Sequence, residues 1–126
     1  MSVSWTLGEL GRVLFERRAD IESVDQVPME SALRNKCHDN ARSYAERHPG
    51  CAVVHGWLAY LQGCGEPIGA TFEAHSVVAL ADGRLIDVTP LDYASRFLRH
   101  PEGLPPFEAL MRAHVNQINF VAGLST

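Results

Sequence analysis

The chain has no long apolar run, no basic cluster and no excess of positive charge, and each absence argues against a class of protein. Its 126 residues contain no stretch near the roughly 20 apolar residues that a membrane helix needs. Eleven Lys and Arg against 15 Asp and Glu give a net charge of −4. We therefore expect no membrane association and no nucleic-acid partner, because both call for apolar or basic surfaces.

The first eight residues also lack the features of an export signal. Residues 1–8 show no basic segment followed by an apolar one. We therefore predict no signal peptide and a cytoplasmic location, although export by a route that reads no such signal stays compatible with this.

Cysteines are few and unpaired in spacing. The three cysteines stand at positions 37, 51 and 64, an odd number with no CxxC pair, so we expect no disulfide framework. An apolar fraction of 46% and a charged fraction of 21% are those of an ordinary globular protein. We predict one domain over residues 1–126, long enough for one sizeable core.

The residue pattern predicts helices first and strands later. Helices are expected over residues 6–19, 36–47 and after Pro105, with a short helical turn over 29–34. Strands are expected over residues 52–61, 72–80, 84–89 and 118–121. This order predicts an α+β fold with N-terminal helices packed on an antiparallel sheet.

Three residues with complementary chemistry follow one another along these elements. Cys37 opens the second helix, His75 lies on the second strand and Asp87 on the third. A thiol becomes a nucleophile when a base takes its proton, a third group orients that base, and a helix start favours the thiolate. Taken singly, each has a plainer role: an inert core cysteine, a satisfied strand histidine, and an aspartate that bonds the backbone near Thr89.

The turn between the second and third strands decides whether His75 and Asp87 share a face. A two-residue turn at Asp82 and Gly83 would set Val78 opposite Asp87 and point His75 away. A three-residue loop that begins at Ala81 shifts the register by one and makes His75 and Asp87 diagonal neighbours. The Asp-Gly pair fits both turns, and a catalytic site requires the longer loop.

The ordered set of motifs resembles the transglutaminase-like superfamily within the papain-like group. Members of that family have a cysteine at a helix start, a strand of the type ARxVxGY, a strand beginning HAW, and a strand ending in Asp before PT or TP. The matching stretches here are Cys37, residues 51–57 (CAVVHGW), 74–78 (AHSVV) and 85–90 (LIDVTP). The resemblance implies a papain/transglutaminase-like core with Cys37 as nucleophile, His75 as general base and acid, and Asp87 as its orienting carboxylate.

Two positions depart from the family pattern and narrow the expected reaction. The aromatic residues that usually follow the cysteine and the histidine are replaced by His38 and Ser76. In transglutaminases such aromatics help to form the tunnel that admits an amine, so hydrolysis or deamidation fits better than cross-linking. The expected substrate is a protein or peptide amide, attacked through a thioester on Cys37 with no cofactor and no metal.

Four further residues are candidates for the oxyanion site or the cleft. Asn35 has a simpler role as helix N-cap but is able to offer a side-chain amide to the oxyanion. Asn40 lies on the inward helix face and would bond either the site or a buried carbonyl. His55 and Trp57 share one strand face, where they form either a cleft wall or part of the core.

Two other functions remain open on sequence alone. The domain would be a non-enzymatic binding module if the triad positions served only packing. The chain also has enough Cys and His for a small zinc-binding protein, although no pair of them has the close spacing of a structural zinc site. The glycine-rich segment 63–69 is a candidate mobile lip over the cleft.

Overall fold

The computed structural model describes residues 5–122. Of residues 1–8, which lack the features of an export signal, residues 1–4 lie outside the described range. In the described range, the helices are α1 (Leu7–Glu16), α2 (Cys37–Arg47) and α3 (Phe107–Arg112), with a 3-10 turn at Arg18–Asp20. The strands are β1 (Glu22–Gln26), β2 (Ala52–Gln62), β3 (Gly69–Ala79), β4 (Leu85–Asp87), β5 (Ser95–Arg99) and β6 (Gln117–Val121).

The six strands form one sheet that closes on itself. Their order is β2-β5-β1-β4-β3-β6, and a further pairing of β2 with β3 joins five of them into a ring. The β1–β4 pair is parallel, so the sheet is mixed and the expectation of a wholly antiparallel sheet is wrong at this pair. The α+β class itself is confirmed.

Alternating side chains divide the core into an inner and an outer part. Val24, Val77, Leu85 and Phe97 come from four different strands and pack together inside the ring. Outside it, α1 and α3 cover a larger cluster that contains Trp57. The outer face also carries a smaller cluster with Ala41 of α2, packed with Val78, Ile86 and Val88.

Local signals explain where the helices begin. Thr6 and Glu9 form the predicted capping box of α1, with hydrogen bonds of 3.0 and 3.2 Å between each side chain and the other's backbone N–H. The N-cap of α2 is Lys36, with no side-chain cap, and Asn35 before it has a positive φ of 64°. The prediction of Asn35 as N-cap is therefore wrong.

Two strands and one turn differ from expectation. β1 and β5 were not predicted, and residues 29–34 form turns rather than helix. A single hydrogen bond of 2.9 Å from the Ala32 N–H to the Met29 carbonyl closes the first of these turns. None of the helices in the described part of the chain is long and apolar enough to cross a membrane.

Candidate active site

The loop between β3 and β4 has the register that a catalytic site requires. Val78 pairs with Ile86 and Ala79 with Leu85, so Ala81, Asp82 and Gly83 form the predicted three-residue loop. The Gly83 φ of 89° supplies the left-handed residue that such a loop needs. The Leu80 N–H donates to the Arg84 carbonyl at 2.8 Å and closes the loop.

His75 and Asp87 therefore meet inside the ring of strands. The His75 Nε2–H donates to Asp87 Oδ2 at 2.7 Å, and both side chains are almost wholly buried, at 4% and 0% exposure. The Ser95 hydroxyl donates to the same oxygen at 2.7 Å, and the Thr89 N–H donates to Oδ1 at 3.1 Å. A buried carboxylate with three donors is fully satisfied and holds the imidazole in one orientation.

Along one edge of β3 there is a gap between two partner strands, and α2 begins at this gap. β3 pairs with β6 over residues 69–73 and with β4 over 78–79, while β2 occupies its other edge throughout. The first turn of α2 lies at this gap. Cys37 and His38 line one cavity with inward-facing His75, and His38 Nδ1 lies 2.5 Å from the Oγ of outward-facing Ser76.

Hydrogen bonding at this gap sets the protonation of the thiol and the imidazole. Burial opposes a thiolate at Cys37, but hydrogen bonds and charge from His38 and His75 outweigh burial and lower its pKa to about 6. Burial likewise opposes a charged His75, but the hydrogen bonds and charges of Asp87 and Cys37 raise its pKa to about 9. Between these values the pair is a thiolate beside an imidazolium.

Cys37 and His75 line an open cavity of about 650 Å³. Asn35 also lines it, so its place in the cleft agrees with the sequence expectation, while its oxyanion role stays a prediction. Arg34 and Asp92 form an ion pair of 2.9 Å at the same cavity. The cavity is also lined by four residues that line a neighbouring groove as well: Leu58, Tyr60, Glu73 and Tyr93.

The other three cleft candidates lie elsewhere. Asn40 is buried, and its amide donates to the Leu33 carbonyl at 2.8 Å and to Thr89 Oγ1 at 2.9 Å. This side chain fixes the segment before α2, so of the two expected roles the structure shows the bond to a backbone carbonyl, and the place of Asn40 in the cleft or oxyanion site is wrong.

Trp57 and His55 are on the outer face of the sheet. Trp57 is fully buried in the outer core, where its Nε1–H donates to His100 Nδ1 at 3.1 Å. The His55 ring stacks on Phe107 at 4.7 Å between centroids, and its Nδ1 lies 2.8 Å from Ser76 Oγ. Neither residue lines the cavity around Cys37, so both cleft assignments are wrong.

The glycine-rich segment is also far from the thiol. Gln62 pairs with Gly69, six residue pairs along β2 and β3 from the pairing of Gly56 with His75. At about 3.3 Å per residue this is a separation of about 20 Å, so a lip over Cys37 is wrong.

The described residues hold no group of three or more His, Cys, Asp or Glu side chains that could bind a metal ion. This part of the chain therefore offers no support for the zinc alternative.

Sequence reasoning missed two partners of the site. Ser95 was missed because β5 was not predicted, since this strand shows no regular alternation: Ser95, Phe97 and Leu98 are buried and only Arg96 and Arg99 are exposed. His38 was predicted only as a departure from a family pattern and as one of the Cys and His residues open to a zinc site.

Comparisons of the chain with protein-family models, with curated proteins and with solved structures found no match. The functional assignment therefore rests on the geometry described above.

Proposed function

We propose that the protein is a cysteine-dependent amide hydrolase or acyltransferase with a papain/transglutaminase-like core. The observation that carries the proposal is the buried 2.7 Å bond between His75 Nε2 and Asp87 Oδ2. Because Nε2 is committed to the carboxylate, Nδ1 is the nitrogen that serves Cys37. Nucleophile, base and orienting acid thus come from three elements: Cys37 and His75 line one cavity, and Asp87 is buried behind His75.

The protonation states suit a nucleophilic thiol near neutral pH. With a Cys37 pKa of about 6 and a His75 pKa of about 9, the thiolate is present before substrate binds. Full burial and three donors keep Asp87 in place as the orienting group.

The reaction follows from these states. The Cys37 thiolate attacks the amide carbonyl carbon, and the electron pair of the carbonyl bond moves onto oxygen. As the C–N bond breaks, the proton on His75 Nδ1 passes to the leaving nitrogen, which leaves a thioester on Cys37. Neutral His75 then takes a proton from water, whose oxygen attacks the thioester, and sulfur leaves as the thiolate.

The cavity supports a protein or peptide substrate. Its volume of about 650 Å³ and its continuation past Tyr60 and Tyr93 suit an extended chain. Water as acyl acceptor gives hydrolysis or deamidation, which we favour over cross-linking because His38 and Ser76 stand where the family has aromatics.

Substrates in a cell lysate test the proposal directly. Wild-type protein and the Cys37→Ala variant are each incubated with lysate, and the peptides are compared by mass spectrometry. We expect one-unit deamidation shifts or new chain ends with wild type only. The Cys64→Ala variant is the matched control, since Cys64 is exposed and lies outside the cavity.

Two results would contradict the proposal. One is a set of modifications that Cys37→Ala produces as efficiently as wild type. The other is three thiols that all alkylate at the same rate, as a non-enzymatic binding module predicts.

A further inference from the structure

A chain of hydrogen bonds on the outer face of the sheet ends at His38, the neighbour of Cys37 in the sequence. His38 Nδ1 lies 2.5 Å from Ser76 Oγ, and the same oxygen lies 2.8 Å from His55 Nδ1. Ser76 is fully buried, and both rings are half-buried. His38 also lines the cavity with Cys37 and His75.

The donors and acceptors along this chain restrict where its protons lie. Ser76 has one proton to donate, so one of the two Nδ1 atoms accepts it and the other donates to the oxygen. Burial lowers the pKa of His55, so its ring is neutral at pH 7 and carries a single N–H. Glu108 Oε1 lies 3.6 Å from His55 Nε2, too far for a hydrogen bond that would fix this proton on Nε2.

A thiolate at Cys37 selects one direction for the protons. An anionic sulfur requires donors, and Ser76 already occupies His38 Nδ1, so the available donor is His38 Nε2–H. His38 Nδ1 then accepts from the Ser76 hydroxyl, whose oxygen accepts from His55 Nδ1–H. In this arrangement each of the three groups donates one proton, and all three protons point toward the sulfur.

Packing holds the two rings in these positions. His55 stacks on Phe107 with an interplanar angle of 3°, and the His38 ring meets the Phe107 edge at 5.7 Å between centroids. Phe107 is buried, so the rings are fixed by the outer core.

We propose that His38 is a second hydrogen-bond donor to the sulfur of Cys37, held in that role by Ser76 and His55. The inference rests on the proposed function, because it assigns His38 to the same nucleophile. His38 contacts the reacting atom, and Ser76 and His55 are positioning residues. The site thus has one donor, His75, that is bonded to a carboxylate and a second donor, His38, that is bonded to a hydroxyl.

Other charged or titratable groups surround this pair and are kept unchanged in the test. They are Asp87 on β4, His100 after β5, Glu108 on α3, Arg42 on α2, and Arg34, Glu73 and Asp92 at the cavity.

Two polar substitutions of His38 separate its two nitrogens. A Gln side chain places its amide near the position of Nε2, whereas Asn places its amide near that of Nδ1. The apparent pKa of Cys37 is measured from the pH dependence of alkylation by iodoacetamide, with the modified peptide identified by mass. We expect His38→Asn to raise that pKa by about one unit, which slows alkylation at pH 6 by about fivefold. His38→Gln is expected to keep at least half of the wild-type shift.

Two further variants, Ser76→Ala and His48→Gln, complete the design. Ser76→Ala is expected to raise the apparent pKa of Cys37 by less than His38→Asn, because His38 loses only its positioning partner. His48→Gln is the matched control, since His48 stacks on Tyr44 at the far end of α2 and is expected to leave the pKa unchanged.

The outcomes separate this inference from the proposed function. Equal shifts in His38→Asn and His38→Gln, or no shift in His38→Asn, would overturn the second donor while leaving the His75 site intact. A wild-type thiol that titrates like a free cysteine would overturn both. A low wild-type pKa that rises in His38→Asn alone, without any amide hydrolysis, would support the second donor and reject the proposed reaction.

Discussion

The two sides of Cys37 are built differently although each presents an imidazole. The inner side, His75 with Asp87 and Ser95, is buried inside the ring of strands and holds a carboxylate. On the outer side, the rings of His38 and His55 are half-buried and are joined through the hydroxyl of Ser76 rather than through a carboxylate. The comparison teaches that a bonded carboxylate outweighs burial and makes an imidazolium, whereas a hydroxyl between two rings only orients a donor.

Replacing the inner imidazole has the largest expected effect on activity. His75→Gln removes both the imidazolium beside Cys37 and the acid that protonates the leaving nitrogen. General acid–base catalysis contributes about 100- to 10,000-fold, so we expect kcat/KM for amide hydrolysis to fall within that range. His48→Gln is the control, and a loss of less than about tenfold in His75→Gln would place the base elsewhere.

Removing the charge of the inner carboxylate should shift the pH profile. Below a His75 pKa of about 9 the imidazolium is present, and Asp87 is one of the groups that raise that value. In Asp87→Asn we therefore expect the alkaline limit of kcat/KM to move down, from about 9 toward the ordinary histidine value of about 6.5. The matched control is Asp25→Asn, at an exposed position of β1. An unchanged alkaline limit in Asp87→Asn would refute its role as orienting group.

The packing of the inner side also requires a glycine at position 56. A Cβ at Gly56, which pairs with His75, would lie 2.2 Å from the Leu98 carbonyl oxygen and 2.6 Å from the Phe97 ring. Both contacts are too short, so Gly56→Ala is expected to destabilise the fold by about 1–3 kcal/mol or more. Denaturant unfolding measures this, and Gly8→Ala in α1, where a Cβ meets nothing closer than 3.9 Å, is expected to be neutral or stabilising. Equal stability of both variants would show that β5 is able to move away from β2.

The smallest expected effect on activity is at Ser95, whose hydroxyl donates to Asp87 beside His75. Ser95→Ala removes one of the two donors to Asp87 Oδ2, at 2.7 Å, while His75 keeps its own bond. A hydrogen bond to a charged group contributes about 1.5–3 kcal/mol to stability, and we expect a loss of unfolding free energy in that range with a less than tenfold fall in kcat/KM. Ser23→Ala, at an exposed position of β1, is the control. A fall as large as that of His75→Gln would mean that Ser95 takes part in the chemistry.

The inner side was largely predictable from the sequence, and the outer side was not. The inner site was predicted from the positions of Cys37, His75 and Asp87 on a helix and two strands. The observed three-residue loop before Arg84 gives the two strands the register that this site requires. β1 was not predicted because Val24 is the only buried residue of this strand. The position of β1 is set by its pairing with β4 and β5, which are distant in the sequence.

His38 escaped for a different reason. Neighbouring residues on a helix diverge by about 100°, which argues against joint action of positions 37 and 38. The first turn of α2, however, lies at an open edge of β3, so its two side chains reach opposite faces of one strand. Such an edge depends on the pairing of β3 with β4 and β6, which no local pattern encodes.

The pH dependence of alkylation at Cys37 in the wild-type protein tests the central claim most directly. With both imidazoles bonded to the sulfur, the rate should rise with a midpoint near pH 6 and remain high through pH 8, with Cys64 of the same sample as internal reference. A midpoint near the free-cysteine value of about 8.5 would contradict the account.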